Sequence, residues 1–388
     1  MSAIYYLGFL GQPADHVEAK LRKTLGRMVG EFALTLGVEV GLSGAAFTPK
    51  PGMAAAALYF GFPGAKDTPE LTRLVRQEVP IIPVVSGLTQ FGVETPPGLR
   101  HLNGLDLDSQ DEDYTGLAAA LLECVGLLPR RRRVFVSYRR TESRMAAVQL
   151  FEELSARKFD VFLDTHDVLA GKKFQEELWH RLSDSDVVVM LHTPDYFTSS
   201  WTAQEFFRAL GKRISILRVE WPATMVAPKV AMATATAMKL AAHDLTMTGE
   251  LSSDALTAIC SQVESVRSKS IAIRQSYLAG WIKSEVEAIQ GVVEGVGPHR
   301  STVIRLSGGT KVLAFTSLGI PTAECLHQAA INSEDGVNGA HALVYDTKGC
   351  PPRVLEHLKW LGAHIPVVRC IAAHELNWVL PDWEAPTQ

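Results

Sequence analysis

Three short apolar runs between residues 133 and 220, each followed at once by polar residues, most strongly limit how this chain can fold. The runs cover residues 134–136, 160–164 and 186–191. Apolar runs of this kind are typical of strands that are buried on both faces of a parallel sheet. Open α/β sheets bind ligands at the carboxyl ends of their strands. The pattern therefore predicts a parallel sheet with a site at its polar edge.

Strand-like and helix-like segments alternate along the whole chain of 388 residues, which is long enough for two or three domains of about 150 residues each. The fold class that we predict is α/β, with three consecutive Rossmann-like or flavodoxin-like domains built on parallel sheets. We expect an N-terminal α/β domain at 1–128, a central domain at 133–269, and a helix followed by an α/β domain at 270–388.

Several segments carry more specific expectations. Four consecutive arginines, Arg130–Arg133, could contact phosphate, but a charge run beside a domain start is usually solvated, so we expect a linker. The pattern also predicts two separate helices, at 252–266 and 271–293, and a strand at 365–368.

Gly8 and Gly11 follow the first strand-like segment and resemble part of a phosphate-binding loop. A third glycine at the required spacing is missing, so a tight turn is the favoured interpretation.

Composition argues against several partners and sites. The formal net charge of −4 gives no electrostatic reason to expect nucleic acid or an anionic membrane. The 5 cysteines lack C-x-x-C spacing, which indicates reduced thiols in the cytoplasm and no zinc site. No secretion signal is evident at the N-terminus. The longest low-charge stretch, 223–242, is interrupted by Pro228, Lys229 and Lys239, so no membrane span is predicted.

The best candidate for an acidic catalytic group is Glu205, which lies one helical turn after Trp201. A carboxylate beside an indole can hold sugar hydroxyls or stabilise a developing positive charge. A surface glutamate near a helix N-terminus, with Trp201 in the core, explains the same spacing. The spacing alone favours that structural interpretation.

Other polar residues shift the balance towards a ligand site. Ser137, Tyr138, Arg139 and Arg140 follow the first central strand, and guanidinium groups suit a diphosphate. Asp164 ends the second strand and could accept a hydrogen bond from a ribose hydroxyl. Phe174 could cover a planar base or be a core residue of its helix.

These residues resemble the motifs of the Toll/interleukin-1 receptor (TIR) domain family. The similarity lies in Val134–Arg140, in Phe162-Leu163-Asp164 with the loop that leads to Phe174, in Pro194-Asp195-Tyr196-Phe197, in Trp201-x-x-x-Glu205 and in Glu220-Trp221-Pro222. The set is most similar to the enzymatic branch that includes the animal axon-degeneration NAD hydrolase and bacterial antiphage TIR proteins.

The resemblance implies an NAD+ glycohydrolase (NADase) with Glu205 as its catalytic residue. Such an enzyme cleaves the nicotinamide–ribose bond of NAD+ to give nicotinamide and ADP-ribose or a cyclic ADP-ribose. NAD+ is the substrate, and no cofactor or metal is implied. Trp201, Phe174 and Tyr138 would then flank the rings of NAD+, and Arg139 or Arg140 would contact the diphosphate. The family also implies a cytoplasmic role in bacterial antiphage defence, activated by self-association into a homo-oligomer or filament.

Two alternatives remain open on the sequence. One is a TIR scaffold that only recruits protein partners, and the other is a base-exchange or nucleoside-processing transferase that uses the same carboxylate. For the flanking domains we expect regulation, assembly or sensing of a small-molecule or protein trigger.

Overall fold

The computed structural model describes residues 3–44, 46–128, 132–163, 172–233, 236–334, 340–348, 350–365 and 367–384. Side chains are not described at residues 172–177, 201, 333 and 334. The predicted fold class is confirmed, because these described residues form three α/β sheets of five strands each.

Contacts group these sheets into two compact units. The first unit comprises Met1–Arg130, Ala272–Thr347 and Pro352–Gln388, and the second comprises Arg131–Ile271 with Lys348–Pro351. The assignment of separate functions to 1–128, 133–269 and 270–388 stays a prediction.

The first sheet belongs to the first unit and has the order β2-β1-β3-β4-β5, with all of its described pairs parallel. Its strands are β1 (Tyr5–Gly11), β2 (Val40–Ser43), β3 (Ala54–Phe60), β4 (Ile81–Val85) and β5 (Leu105–Asp106). Its helices are α1 (Asp15–Gly30), α2 (Pro69–Arg76), α3 (Phe91–Glu94) and α4 (Thr115–Cys124).

The two N-terminal glycines serve close packing and a turn. Gly8 lies inside β1, where a Cβ atom would come within 2.7 Å of the Phe47 ring. Gly11 ends β1 with φ of +76°, and a Cβ there would lie 2.0 Å from the carbonyl oxygen of Phe60. This supports the structural interpretation of the pair over a phosphate loop.

The second sheet forms the second unit and is parallel throughout, with the order β10-β9-β8-β6-β7. Its strands are β6 (Arg132–Ser137), β7 (Phe159–Leu163), β8 (Val187–His192), β9 (Ser215–Glu220) and β10 (Thr236–Lys239). The helices that follow them are α5 (Arg140–Ala156), α6 (Lys172–Ser183), α7 (Ser200–Gly211), α8 (Pro228–Ala233) and α9 (Ser253–Ala288). The three apolar runs of the sequence are therefore the strands β6, β7 and β8.

The expectation of a solvated arginine linker is wrong for its last two residues. Arg132 begins β6 and is only 1% exposed. Its guanidinium pairs with Glu264 and lies 3.9 Å from the centroid of the Phe159 ring. Arg133 is the second residue of β6 and pairs with Asp184. Burial of Arg132 is possible because an opposite charge meets it.

The two helices predicted at 252–266 and 271–293 form one helix, α9, of 36 residues, which ends at Ala288, whereas Val292 and Val293 belong to β11. Between the two predicted helices, Arg267, Ser268 and Ser270 are each 0% exposed. Arg267 stays helical and buried because its Nε atom donates to Asp186 at 2.9 Å.

The third sheet has the order β11-β12-β13-β14-β15 and lies in the first unit. Its strands are β11 (Val292–Val296), β12 (Thr302–Arg305), β13 (Lys311–Ser317), β14 (Ala340–Tyr345) and β15 (Arg369–Ala372). The accompanying helices are α10 (Ala323–Glu334), α11 (Pro352–His364) and α12 (Leu376–Val379). Strands β13, β14 and β15 are parallel, whereas β11 and β12 pair antiparallel, so this sheet is mixed.

The strand predicted at 365–368 is wrong, because the strand β15 lies later. Helix α11 continues to His364, and the Ile365 N–H still donates to the Leu361 carbonyl at 3.0 Å.

Residues 1–128 and the C-terminal segment share one core inside the first unit. One apolar cluster joins residues of the first sheet to residues of the third, among them Ala57, Tyr59, Ile81, Leu313 and Phe315. Among the helices that the structure describes, none has the length and apolar character needed to cross a membrane.

Candidate functional site

The carboxyl ends of three neighbouring strands place polar side chains on one face of the second sheet. Ser137 ends β6, His192 ends β8 and Glu220 ends β9, with exposures of 1%, 3% and 5%. His192 is directly opposite Glu220 in the register of β8 and β9. Because side chains alternate along a strand, these three share the face of Phe135, Met190 and Ile216, which pack in one apolar cluster with residues of α6 and α7.

Glu205 reaches this face from α7. Thr202, in the first turn of that helix, donates from its Oγ1 atom to the carbonyls of Tyr196 and Ser199. This ties the loop after β8 to the start of α7. One turn later Glu205 is 5% exposed, and its Oε2 accepts a hydrogen bond from the Ser137 hydroxyl. The structure thus brings two predicted site residues into contact.

Tyr196 completes this contact, although the sequence did not single it out as a site residue. Its hydroxyl lies 2.5 Å from Ser137 Oγ, and the residue is 1% exposed. Burial and then the charge of Glu205 raise the pKa of Tyr196 well above its ordinary value, while the Ser137 hydrogen bond acts in the opposite direction. Because Ser137 donates its one hydroxyl proton to Glu205, it accepts from the Tyr196 hydroxyl. The one sequence signal was its position in a Pro-Asp-Tyr-Phe segment just after a buried strand.

His192 packs against this tyrosine. Its ring centroid lies 5.8 Å from that of Tyr196 and 5.4 Å from that of Phe197, both in edge-on geometry. Burial lowers the pKa of His192, with a further lowering from Arg218 and an opposing effect of Glu220. Arg218 and Glu220 form a buried ion pair of 2.7 Å on the same face. Sequence reasoning missed this pair, whose signal is two charges at alternate positions of an apolar strand.

The residues after Ser137 take different positions. Tyr138 packs in the apolar cluster on the opposite face of the sheet, with Val134 and Val136. Arg139 is partly exposed, and its Nη1 atom lies 3.2 Å from Asp195 and 3.3 Å from Glu142. Arg140 is exposed and begins α5. The guanidinium of Arg139 therefore stands at the surface beside two carboxylates.

Three predicted site residues cannot be placed as side chains. Asp164 lies outside the described residues. Phe174 and Trp201 lie on the backbones of α6 and α7, with side chains that are not described. The helical backbone does put position 201 one turn before Glu205, as the sequence spacing predicted.

Residues 134–246 match the family model of the TIR domain. The chain contains a TIR domain. The match begins inside β6 and ends after β10, so it includes Ser137, Tyr196 and Glu205. The resemblance seen in the sequence motifs is thereby confirmed at the level of the domain family. A comparison with curated proteins gave no match.

The chemistry open to the TIR domain follows from its buried carboxylate. A carboxylate held by hydrogen bonds at the end of a parallel sheet can accept from hydroxyl groups of a ligand and stabilise positive charge near it. Low local dielectric strengthens both interactions relative to water. No group of three or more His, Cys, Asp or Glu residues suited to a metal ion occurs in the described parts of the chain.

Proposed function

We propose that the TIR domain is an NAD+ glycohydrolase and that Glu205 is its catalytic residue. The observation that carries the proposal is the position of Glu205, buried at the carboxyl edge of the sheet with its Oε2 held by Ser137. The family match and the Trp201-x-x-x-Glu205 spacing support the same assignment.

The proposed reaction breaks the bond between nicotinamide and C1′ of the ribose. The bonding electrons leave with nicotinamide, which departs neutral, and the ribose carries the positive charge of an oxocarbenium ion. Glu205 stabilises that charge and orients the ribose hydroxyls. Capture by water gives ADP-ribose and releases a proton, whereas capture by a nitrogen of the adenine gives a cyclic ADP-ribose. Both products remain within the proposal.

The remaining substrate contacts are proposed on the family resemblance. Arg139 or Arg140 would bind the diphosphate, and Asp164 the ribose. For Arg139 this means exchanging Asp195 and Glu142, its present partners, for phosphate oxygens. Phe174 and Trp201 would flank the rings, and Tyr138 would do so only by leaving the apolar cluster of the opposite face, where it packs with Val134 and Val136. Ser137 is likewise proposed to bind substrate, at the point where its hydroxyl contacts Glu205 and Tyr196.

The test is incubation of the purified full chain with NAD+, followed by chromatographic separation of nicotinamide, ADP-ribose and cyclic products. Glu205→Gln keeps the shape of the side chain and removes its charge, and we expect turnover to fall by about 10²-fold or more. Glu153→Gln is the matched control, since Glu153 lies 3.0 Å from Arg157 on α5. Equal turnover of the Glu205 and Glu153 variants would refute the role of Glu205.

A TIR scaffold without enzymatic activity is the second candidate. The 5% exposure of Glu205 favours it, because substrate can reach the carboxylate only if the surrounding residues move. The same NAD+ assay separates the enzyme from the scaffold. It is run across a range of protein concentrations, because we propose activation by self-association. Specific activity that rises with concentration supports the enzyme, and absence of turnover at every concentration supports the scaffold.

We also propose that the first unit regulates the TIR domain as one body. Residues 1–128 and 270–388 were expected to act as separate regulatory or sensing domains. Their shared apolar cluster means that deletion of either segment would expose the core of the other. Point substitutions inside this unit, followed by the NAD+ assay, therefore test regulation better than truncations. A role in antiphage defence rests on the family resemblance alone.

A further inference from the structure

We propose that Tyr196 is a positioning residue for the reaction of Glu205, acting through Ser137. The inference rests on the proposed NAD+ cleavage, because it assigns a role in that reaction. It is carried by a chain of two hydrogen bonds that runs from Tyr196 through Ser137 to the Glu205 carboxylate.

Tyr196 is fixed at three points by three elements of the TIR domain. Thr202 of α7 donates to its carbonyl oxygen. Its ring is held edge-on by His192 of β8 and by Phe197, whose centroids lie 5.8 Å and 5.0 Å away. Its hydroxyl meets Ser137 at the end of β6. Because these three contacts fix the Tyr196 side chain, its hydroxyl also fixes the position of Ser137 Oγ.

The direction of the hydrogen bonds follows from the protonation of the two ends. Tyr196 keeps its proton because burial and the neighbouring carboxylate disfavour a phenolate. Ser137 Oγ therefore accepts from Tyr196 and uses its own proton to donate to Glu205 Oε2. Two donors in series polarise each other, and both favour the ionised carboxylate over the protonated one.

The arrangement answers a problem that burial creates for a catalytic carboxylate. A carboxyl group that is removed from water tends to take up a proton, and a protonated Glu205 could not stabilise a positive ribose. The chain from Tyr196 opposes this and fixes the rotamer of Glu205 at the same time. Tyr196 itself is 1% exposed, so we assign it no contact with the substrate.

The experiment compares Tyr196→Phe with Ser185→Ala in the full chain. Ser185 is a matched control, since it is a 2% exposed residue of the TIR domain just before β8, and its hydroxyl donates to the Arg181 carbonyl at 2.8 Å. For Tyr196→Phe we expect kcat to fall by about 3- to 10-fold, the loss of one hydrogen bond, with KM unchanged. We also expect the acidic limb of its pH–rate profile to move to higher pH. His192 faces Tyr196 from β8, and the Arg218 and Glu220 charges of β9 act on His192; all three groups are present in wild type and variant alike.

A second measurement does not depend on turnover. Urea unfolding of wild type, Tyr196→Phe, Glu205→Gln and the double variant forms a double-mutant cycle. We expect non-additive effects, because loss of the Tyr196 hydroxyl matters most when the carboxylate is charged. Additive effects, or an unchanged kcat and pH profile in an active enzyme, would overturn the positioning role. Absence of turnover in wild type would instead refute the proposed function, and the positioning role with it, even if the cycle shows coupling.

Discussion

A buried network of four charged residues makes the sharpest prediction about stability. Arg132 at the start of β6 pairs with Glu264 of α9, and Arg267 of α9 pairs with Asp186, just before β8, at 2.9 Å. Arg267 also lies 3.9 Å from Glu264, and the four side chains are between 0% and 8% exposed. The network is electrically neutral and joins α9 to the sheet of the TIR domain.

Glu264→Gln removes one negative charge without removing much volume. It leaves two buried guanidinium groups facing one carboxylate, and breaking a buried pair in this way costs about 3–5 kcal/mol. The same chemical change at the partly exposed pair of Glu153 and Arg157 costs about 0–1 kcal/mol, because water can replace the lost partner. The predicted difference is thus at least about 2 kcal/mol.

Amide hydrogen exchange of the full chain, followed by mass spectrometry, measures this difference locally. In peptides that cover β6 and the first half of α9, Glu264→Gln should speed exchange by about 10²-fold or more relative to wild type, since 1.36 kcal/mol corresponds to tenfold. Glu153→Gln should stay within about 5-fold of wild type. If the two variants exchange at similar rates in these peptides, the reasoning about buried charge is refuted.

Two further predictions concern a glycine and a histidine. Gly11→Ala should destabilise the first unit by more than about 2 kcal/mol, and Gly37→Ala by about 1 kcal/mol. Both glycines have positive φ, but only at Gly11 would the Cβ meet a backbone atom, the Phe60 oxygen. Equal shifts of the thermal unfolding midpoint in the two variants would contradict the close approach at Gly11. Because the pKa of His192 is lowered in the fold, the unfolded chain binds more protons in acid, so stability falls as pH drops below about 6.5. His192→Gln should lose less stability than wild type between pH 7.5 and 5 in urea unfolding, and equal losses would show that His192 does not titrate as described.

The sequence by itself determined the strands that carry the site and the family of the central domain. Apolar runs that end in polar residues identify β6, β7 and β8, and the strands buried in the interior of the sheet, β6 and β8, need such runs wherever they occur. The edge strand β7 is only half-buried at Asp160, Val161 and Phe162. The Trp201-x-x-x-Glu205 spacing likewise puts both residues on one helix face, which depends only on the helical repeat. Such features are local, so a single stretch of chain contains all the information that they require.

Only the tertiary structure decided which polar residues are buried and what they contact. Arg132 was expected in a linker and Arg267 lay between two predicted helices, yet each is buried because a carboxylate distant in sequence meets it. Tyr196 lies 59 positions from Ser137, and the contact exists because β6 and β8 are neighbours in the sheet. Pairings of this kind depend on the strand order. Without the strand order, the sequence predicts neither the Tyr196–Ser137–Glu205 chain of hydrogen bonds nor the shared core of the N- and C-terminal segments.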